Sequence, residues 1–425
     1  MLLHYPEKRG RTPLVREGFA GAARAESQGA TMINERAYDL GSAPSAIREL
    51  FAYGVKRKAE IGDDKVFDYS IGNPSVPAPQ RVADSINNQM KMSPVELHAY
   101  SQSSGISEVR DTIAASIARR FDIPAKGSHV YMTVGAAASI TICLGAITVP
   151  GEEVIVPTPY FPEYKVWIET MGCKIVEVPA QVPSFQLDVE AMGAAMNEKT
   201  AAVIINSPNN PVGAVYTREN LEALAAMLTK KSEEFGHPIY LISDEPYREI
   251  TYGCEVPYVP CIYPRTLVCY SYSKSLSLPG ERVGYVYVSD TMDAAEADRV
   301  FNAVSGAGRA HGYICAPVMF QRVAADCVDE PSDVAAYAEN RRILTEGLDK
   351  LGYEYVQPDG AFYLWVRALE PDAKAFSNKA KEHELLLVPS DSFGVGGWVR
   401  MSYCIAKETI ENSMPALAAL KADYE

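Results

Sequence analysis

Val130-Tyr131-Met132-Thr133-Val134-Gly135-Ala136-Ala137-Ala138-Ser139-Ile140 is the stretch that decides how this chain folds. Five strand-prone residues end at a glycine, and the small residues after it open an apolar run to Ile147 that reads as a buried helix. A strand passing straight into a buried helix is half of a βαβ unit. Upstream, Ile106, Val109, Ile113, Ile117 and Phe121 form a helical stripe. Downstream come the strand-like runs Glu153–Pro157, Lys174–Val178, Ala201–Ile205, Ile239–Ser243 and Thr266–Tyr270, with an amphipathic helix over Arg218–Phe235. Apolar runs of this kind suit a mostly parallel sheet covered by helices on both faces, an α/β fold.

The pattern changes near residue 330. A charged helix, Ser332–Leu351, is followed by shorter strands at Ala361–Val366, Leu385–Val388 and Trp398–Ser402, then a last helix, Thr409–Tyr424. This predicts a smaller α+β domain over 331–425 behind a large domain over 78–330, with residues 32–77 as an N-terminal segment packing on the smaller one. Residues 1–31 mix Arg9, Arg11, Arg16 and Arg24 with acidic residues around a Gly- and Ala-rich stretch, and lack an apolar signal core. A loosely ordered extension is expected there, with Met32 as an alternative start.

Composition narrows the function. A net charge of −14 argues against a nucleic-acid groove or an anionic membrane surface. No stretch is long and apolar enough to span a bilayer. The eight cysteines lack C-x-x-C pairs, which suggests reduced, buried thiols and a cytoplasmic protein. The six histidines show no zinc spacing, so no metal site is expected.

Ligands of open α/β sheets gather at the carboxyl ends of strands. After Val134, Gly135 permits close backbone approach, and the helix start offers free N–H groups to a phosphate; tight packing alone would also explain it. Pro157-Thr158-Pro159-Tyr160-Phe161-Pro162 fixes an aromatic pair that suits either a planar ring or a core turn. Asn206-Ser207-Pro208-Asn209-Asn210-Pro211-Val212-Gly213 is a rigid turn bearing amides. Asp244, closing a run expected to be buried, needs a cationic partner or a helix N-cap role. In Ser271-Tyr272-Ser273-Lys274-Ser275-Leu276-Ser277-Leu278-Pro279-Gly280-Glu281-Arg282, a lysine stands among hydroxyls with an arginine eight positions on. A desolvated lysine near other cations can lose its proton near neutral pH, and the hydroxyls and arginine suit an anion. Taken alone, the run also reads as a surface turn.

Together, over about residues 35–425, these motifs resemble the class I/II aminotransferases, the pyridoxal-phosphate (PLP) enzymes of fold type I. The resemblance implies that Lys274 holds PLP covalently and that Asp244 keeps its ring nitrogen protonated. Tyr247 and Asn210 would then meet the ring hydroxyl, and Phe161, or alternatively Tyr160, would stack on the ring. Gly135, Ala136 and Ala137, with Ser271, Ser273 and Arg282, match the phosphate cup. Arg400, in Gly397-Trp398-Val399-Arg400-Met401-Ser402, resembles the arginine that grips the substrate carboxylate, and Gly72 the glycine beside it. Tyr100 matches a tyrosine that reaches the neighbouring subunit's phosphate, implying a homodimer with shared sites; a plain surface tyrosine is the alternative. Ala136 and Ala137 replace the serine or threonine often found there, and Ser390 stands where glycine is usual.

The implied reaction moves an amino group from an L-amino acid, aspartate or a broad range, to a 2-oxo acid such as 2-oxoglutarate. Arg309, between Gly306-Ala307-Gly308 and Gly312, and Arg48 are candidates for a distal carboxylate; Arg309 reads equally well as a surface arginine on flexible chain. The same residue set also serves carbon–sulfur β-lyases and enzymes resembling 1-aminocyclopropane-1-carboxylate synthase. A non-enzymatic PLP-fold regulator is a third reading, and it lacks the added DNA-binding domain such regulators usually carry.

Overall fold

The computed structural model describes residues 33–42 and 45–425, so the extension expected over residues 1–31 lies outside the described residues. The chain divides into a unit ending at Pro44 and a second unit from Ser45 to Glu425. In the first, Glu35–Ser42 forms a short helix. All that follows concerns the second.

Strand β1 (Phe67–Asp68) belongs to a small sheet described below. The next seven, β2 (Val130–Thr133), β3 (Glu153–Thr158), β4 (Lys174–Pro179), β5 (Thr200–Asn206), β6 (Tyr240–Asp244), β7 (Thr266–Ser271) and β8 (Gly284–Val288), form one sheet. Their spatial order is β2-β8-β7-β6-β5-β3-β4. β8 is antiparallel to both neighbours; the other pairs are parallel. β8 is absent from the strands read in the sequence, although Gly284-Tyr285-Val286-Tyr287-Val288 is fully buried.

Apart from the edge strand β4, which exposes Lys174 and Glu177, the strands are buried and mostly apolar because each face of the sheet has its own core. Val154 and Val156, Ala202 and Ile204, Leu267 and Cys269 point to one side, under the helices Ala136–Ile147 and Ala294–His311. The alternate residues Ile155, Val203, Ile205 and Leu241 meet Leu221, Leu224 and Leu228 of the helix Arg218–Phe235. Val268 and Tyr270 meet Val109, Ile113 and Ile117 of the helix Ser107–Phe121. Period-two strands buried on both faces lose the polar half of their alternation. Thr217 caps the start of Arg218–Phe235 by accepting from the Asn220 N–H, and Gly236 closes it in the left-handed region.

Gly306 and Gly308 beside Arg309 are helical and Gly312 is the left-handed cap that ends the helix, which corrects their reading as flexible chain. Their smallness serves packing: a Cβ on Gly308 would lie 2.3 Å from the Tyr131 hydroxyl, and one on Gly145 would lie 2.5 Å from His311. The helices Ala294–His311 and Ala136–Ile147 therefore cross closely.

Beyond the helix Val334–Lys350, strands β9 (Tyr355–Val356), β10 (Tyr363–Arg367), β12 (Val388–Pro389) and β13 (Trp398–Ser402) form an antiparallel sheet in the order β12-β13-β10-β9. β11 (Leu385–Leu386) instead pairs in parallel with β1. The single strand expected over Leu385–Val388 is thus two, because the chain changes partner at Leu387. No helix among the described residues is long and apolar enough to cross a membrane. All eight cysteines are free; five are buried, while Cys254 and Cys315 are partly exposed and Cys261 is exposed.

Candidate active site

The carboxyl ends of β5, β6 and β7 open onto a cavity of about 290 Å³. It collects Gly72, Ala136, Ala137, Phe161, Asn210, Asp244, Tyr247, Ser271, Ser273, Lys274, Arg282 and Arg400 from segments remote in sequence.

One end is built for an anion. Gly135 precedes the helix Ala136–Ile147 with φ of 92°, in the region that favours glycine. A Cβ there would lie 2.5 Å from the Arg282 guanidinium, so the arginine packs directly on the helix start. Arg282 donates to Ser273 Oγ at 3.3 Å, and Ser273 shares a 2.7 Å hydrogen bond with Ser271. Helix N–H groups, two hydroxyls and a guanidinium converge there.

The middle holds Asp244, buried at the end of β6. Tyr164 donates a 2.5 Å hydrogen bond to its Oδ2, while Oδ1 is buried with no partner among the described residues. Burial lifts the carboxyl to about 7, despite the Tyr164 hydrogen bond, which favours the anion. A buried carboxylate oxygen left unpaired calls for a ligand donor. Asn206, beside Asp244 in the sheet register, donates to the Asp244 carbonyl at 2.8 Å and accepts from the Asn210 N–H at 2.7 Å. That pair of bonds sets the Asn210 turn against Asp244.

Lys274 lies in the short helix Tyr272–Ser275 that follows β7. Its amine donates to the Gly72 carbonyl at 2.5 Å and stands 5.4 Å from the Phe362 ring centroid. Loss of hydration brings it down to about 8, with Arg400 and Arg282 adding to the decrease.

Arg400, on β13, is 2 % exposed. Its Nη1 donates to Asn210 Oδ1 at 3.0 Å and its Nη2 to the Ser70 carbonyl at 2.6 Å, while Nε is buried without a partner among the described residues. These partners are neutral, and desolvation pulls the guanidinium down from its ordinary value. It lies 4.6 Å from the Tyr363 ring, and Tyr363 shares a 2.8 Å hydrogen bond with Tyr247. Gly72 approaches so closely that a Cβ would fall 2.1 Å from the Tyr363 hydroxyl. A buried guanidinium without a carboxylate is poised for an anion from solution.

Of the two aromatic candidates, Phe161 lines the cavity; Tyr160 is buried with its hydroxyl on Glu177. Tyr100 is 94 % exposed and, like Arg309, stands outside the cavity of its own chain. Arg48 is mostly exposed, with Glu163 at 3.6 Å. Sequence reasoning missed Ile47, Tyr164, Trp167, Asn206 and Tyr363. Tyr164 and Trp167 stand three apart on the helix Glu163–Thr170, a same-face spacing present in the sequence.

A cofactor with an anionic tail, a flat ring carrying a basic nitrogen and an aldehyde suits this order of groups, as PLP would. The model of the aminotransferases of class I and II matches residues 64–417, and the chain belongs to that family, whose members are PLP-dependent. An aminotransferase crystal structure from Eubacterium rectale is 50 % identical with a TM-score of 0.90, covering 93 % of this chain and 100 % of that one. An aspartate aminotransferase of Thermotoga maritima is 31 % identical over 367 residues, 84 % of this chain and 92 % of the relative. An aromatic-amino-acid aminotransferase of Thermococcus litoralis is 29 % identical, over 87 % of this chain and 94 % of the relative. The protein is a PLP-dependent aminotransferase acting on amino acids and 2-oxo acids.

Proposed function

We propose that the cavity carries out transamination between a broad range of L-amino acids, aspartate among them, and 2-oxo acids such as 2-oxoglutarate. The carrying observation is the buried Arg400 guanidinium, held by neutral partners in the same cavity as Lys274 and the unpaired Asp244 Oδ1. PLP, when bound, supplies the electron sink for cleaving the α C–H bond. Arg400 grips the substrate carboxylate, with Gly72 beside it. Lys274 anchors the cofactor and, once freed, accepts the α-proton as a neutral amine and gives it up again as an acid. Asp244 Oδ1 meets the ring nitrogen, Tyr247 and Asn210 the ring hydroxyl, and Phe161 the ring face. Gly135, Ala136, Ala137, Ser271, Ser273 and Arg282 hold the phosphate. Residues 78–330 form the large domain in this reading and 331–425 the small one. The exposed Tyr100 reaches across to a second copy, so the working form is a homodimer.

Arg400→Lys tests the carboxylate grip. A lysine keeps the charge but loses the planar fork, so kcat/KM is expected to fall about 10²-fold for every amino donor. An unchanged kcat/KM would remove Arg400 from substrate binding. The pH dependence of cofactor uptake tests Lys274. Only the neutral amine attacks an aldehyde, and the amine is held at about 8. The rate at which cofactor-free protein takes up PLP is therefore expected to rise with pH, half-maximal near that value, and level off above it. A flat profile from pH 6 to 10 would refute the lowered amine.

A further inference from the structure

We propose that Asp68 is a positioning residue that sets the plane of the Arg400 guanidinium through Ser70, and so governs how tightly the cavity grips a substrate carboxylate. This deepens the aminotransfer reading and rests on it. A guanidinium makes two parallel N–H bonds to a carboxylate only when its plane is held in the right orientation. Arg400 is steadied by two neutral oxygens, Asn210 Oδ1 on Nη1 at 3.0 Å and the Ser70 carbonyl on Nη2 at 2.6 Å. The Asn210 turn is fixed by Asn206. The Ser70 carbonyl is the closer of the two oxygens, and its support comes from Asp68.

Asp68 ends β1 and is buried. Its Oδ1 accepts from the Ser70 N–H at 3.0 Å and from the Ser70 hydroxyl at 2.6 Å. An aspartate that bonds the backbone two residues on closes an Asx turn and fixes the peptides it spans. Both donors of Ser70 therefore go to Asp68, and its carbonyl goes to Arg400. Between them, Tyr69 donates its N–H to the Leu386 carbonyl at 3.2 Å and accepts from the Ser402 N–H at 2.9 Å. Ser402 and Arg400 share β13, so the turn is held in register with the arginine. The second carboxylate oxygen, Oδ2, accepts from the Lys58 amine at 3.4 Å. The helix Ala46–Ile61 also presses on it: a Cβ on Gly54 would lie 2.9 Å from Oδ2 and 2.8 Å from Leu386. That approach explains a glycine in mid-helix, where it weakens the helix. Asp68 is outside the cavity lining, and Ser70 is fully buried. Removing the carboxylate would leave two buried donors of Ser70 without acceptors, and the residue would have to turn to satisfy them.

The test is the single-turnover reaction of the PLP-loaded enzyme with alanine, aspartate and phenylalanine, followed by cofactor absorbance. Asp68→Ala is expected to raise the half-saturating concentration about tenfold for all three donors, with the limiting rate changed less than about twofold. A general loss of structure would lower the limiting rate and disturb the absorbance before any donor is added; here both should stay close to wild type. Asp68→Asn keeps an acceptor for Ser70 and should restore most of the loss, since the partly exposed Lys58 can turn to water. An unchanged half-saturating concentration in Asp68→Ala, a fall in limiting rate alone, or Asp68→Asn as weak as Asp68→Ala would each overturn the proposal. If Asp68→Ala does not fold, Ser70→Ala takes its place. It removes the 2.6 Å bond and should raise the half-saturating concentration about threefold, and no rise would overturn the proposal. If none of the three donors alters the wild-type absorbance, the aminotransfer reading itself fails. If Arg400→Lys weakens all three and Asp68→Ala weakens none, that reading stands and the role of Asp68 falls.

Discussion

Lys274→Ala is expected to lower turnover by about 10⁴-fold or more, because in the proposed function one side chain serves as both covalent anchor and proton carrier. The other cations lining the cavity among the described residues are Arg282 and Arg400, and a guanidinium cannot act as a base at neutral pH. Among the described residues the lysine side chain makes a single hydrogen bond, to Gly72, so the fold should survive its removal. Two readouts separate chemistry from folding. Borohydride should fix PLP to the wild-type chain and leave the variant unlabelled, while their circular dichroism spectra should coincide. A variant that still fixes the cofactor would move the anchor to another amine.

Asp244→Asn is expected to cost about 10³-fold in turnover, since it keeps the shape of the side chain but removes the anion proposed to stand opposite the ring nitrogen. Asparagine can still accept the Tyr164 hydrogen bond, so the loss reports charge. Stability of the cofactor-free protein should move the other way. Burial raises the carboxyl from 3.8 to about 7, so between those values the folded chain keeps a proton that the unfolded chain has released. The carboxyl therefore lowers stability progressively as pH rises through this window, by on the order of 4 kcal/mol once fully ionised. The cofactor-free Asp244→Asn protein should melt above wild type at pH 8 and level with it near pH 4. Equal melting temperatures at pH 8 would show that the carboxyl is already compensated within the chain.

Much of this was legible in the sequence, and particular residues show why. The helices Ala136–Ile147 and Arg218–Phe235 and the strand Trp398–Ser402 begin and end where the sequence places them, because glycines, caps and apolar runs mark their limits. Strand direction carries no such mark. Gly284–Val288 looks like any buried strand, and its reversal is fixed by pairing with β2 and β7 on either side. The run Gly306–Gly308 reads as loose chain until Tyr131 and the helix bearing Gly145 are brought against it. Asp244 stands out because charge at the end of a buried run is conspicuous, and Lys274 and Arg400 stand out through the motifs that carry the family resemblance. Ile47, Trp167 and Tyr363 carry no charge, and only the folded chain brings them beside the rest.

The unpaired Asp244 Oδ1 and the Arg400 guanidinium without a counter-ion also bear on how long the protein lasts in a cell. An empty site leaves two buried groups uncompensated, and the groups that repair this arrive only with a bound molecule. Binding to the folded form alone adds about 4 kcal/mol when the free cofactor stands a thousandfold above its dissociation constant. A chain made during vitamin B6 shortage would lack that margin and open more often to proteases. Nutrient supply would then govern how much of this protein exists, as well as how much of it works.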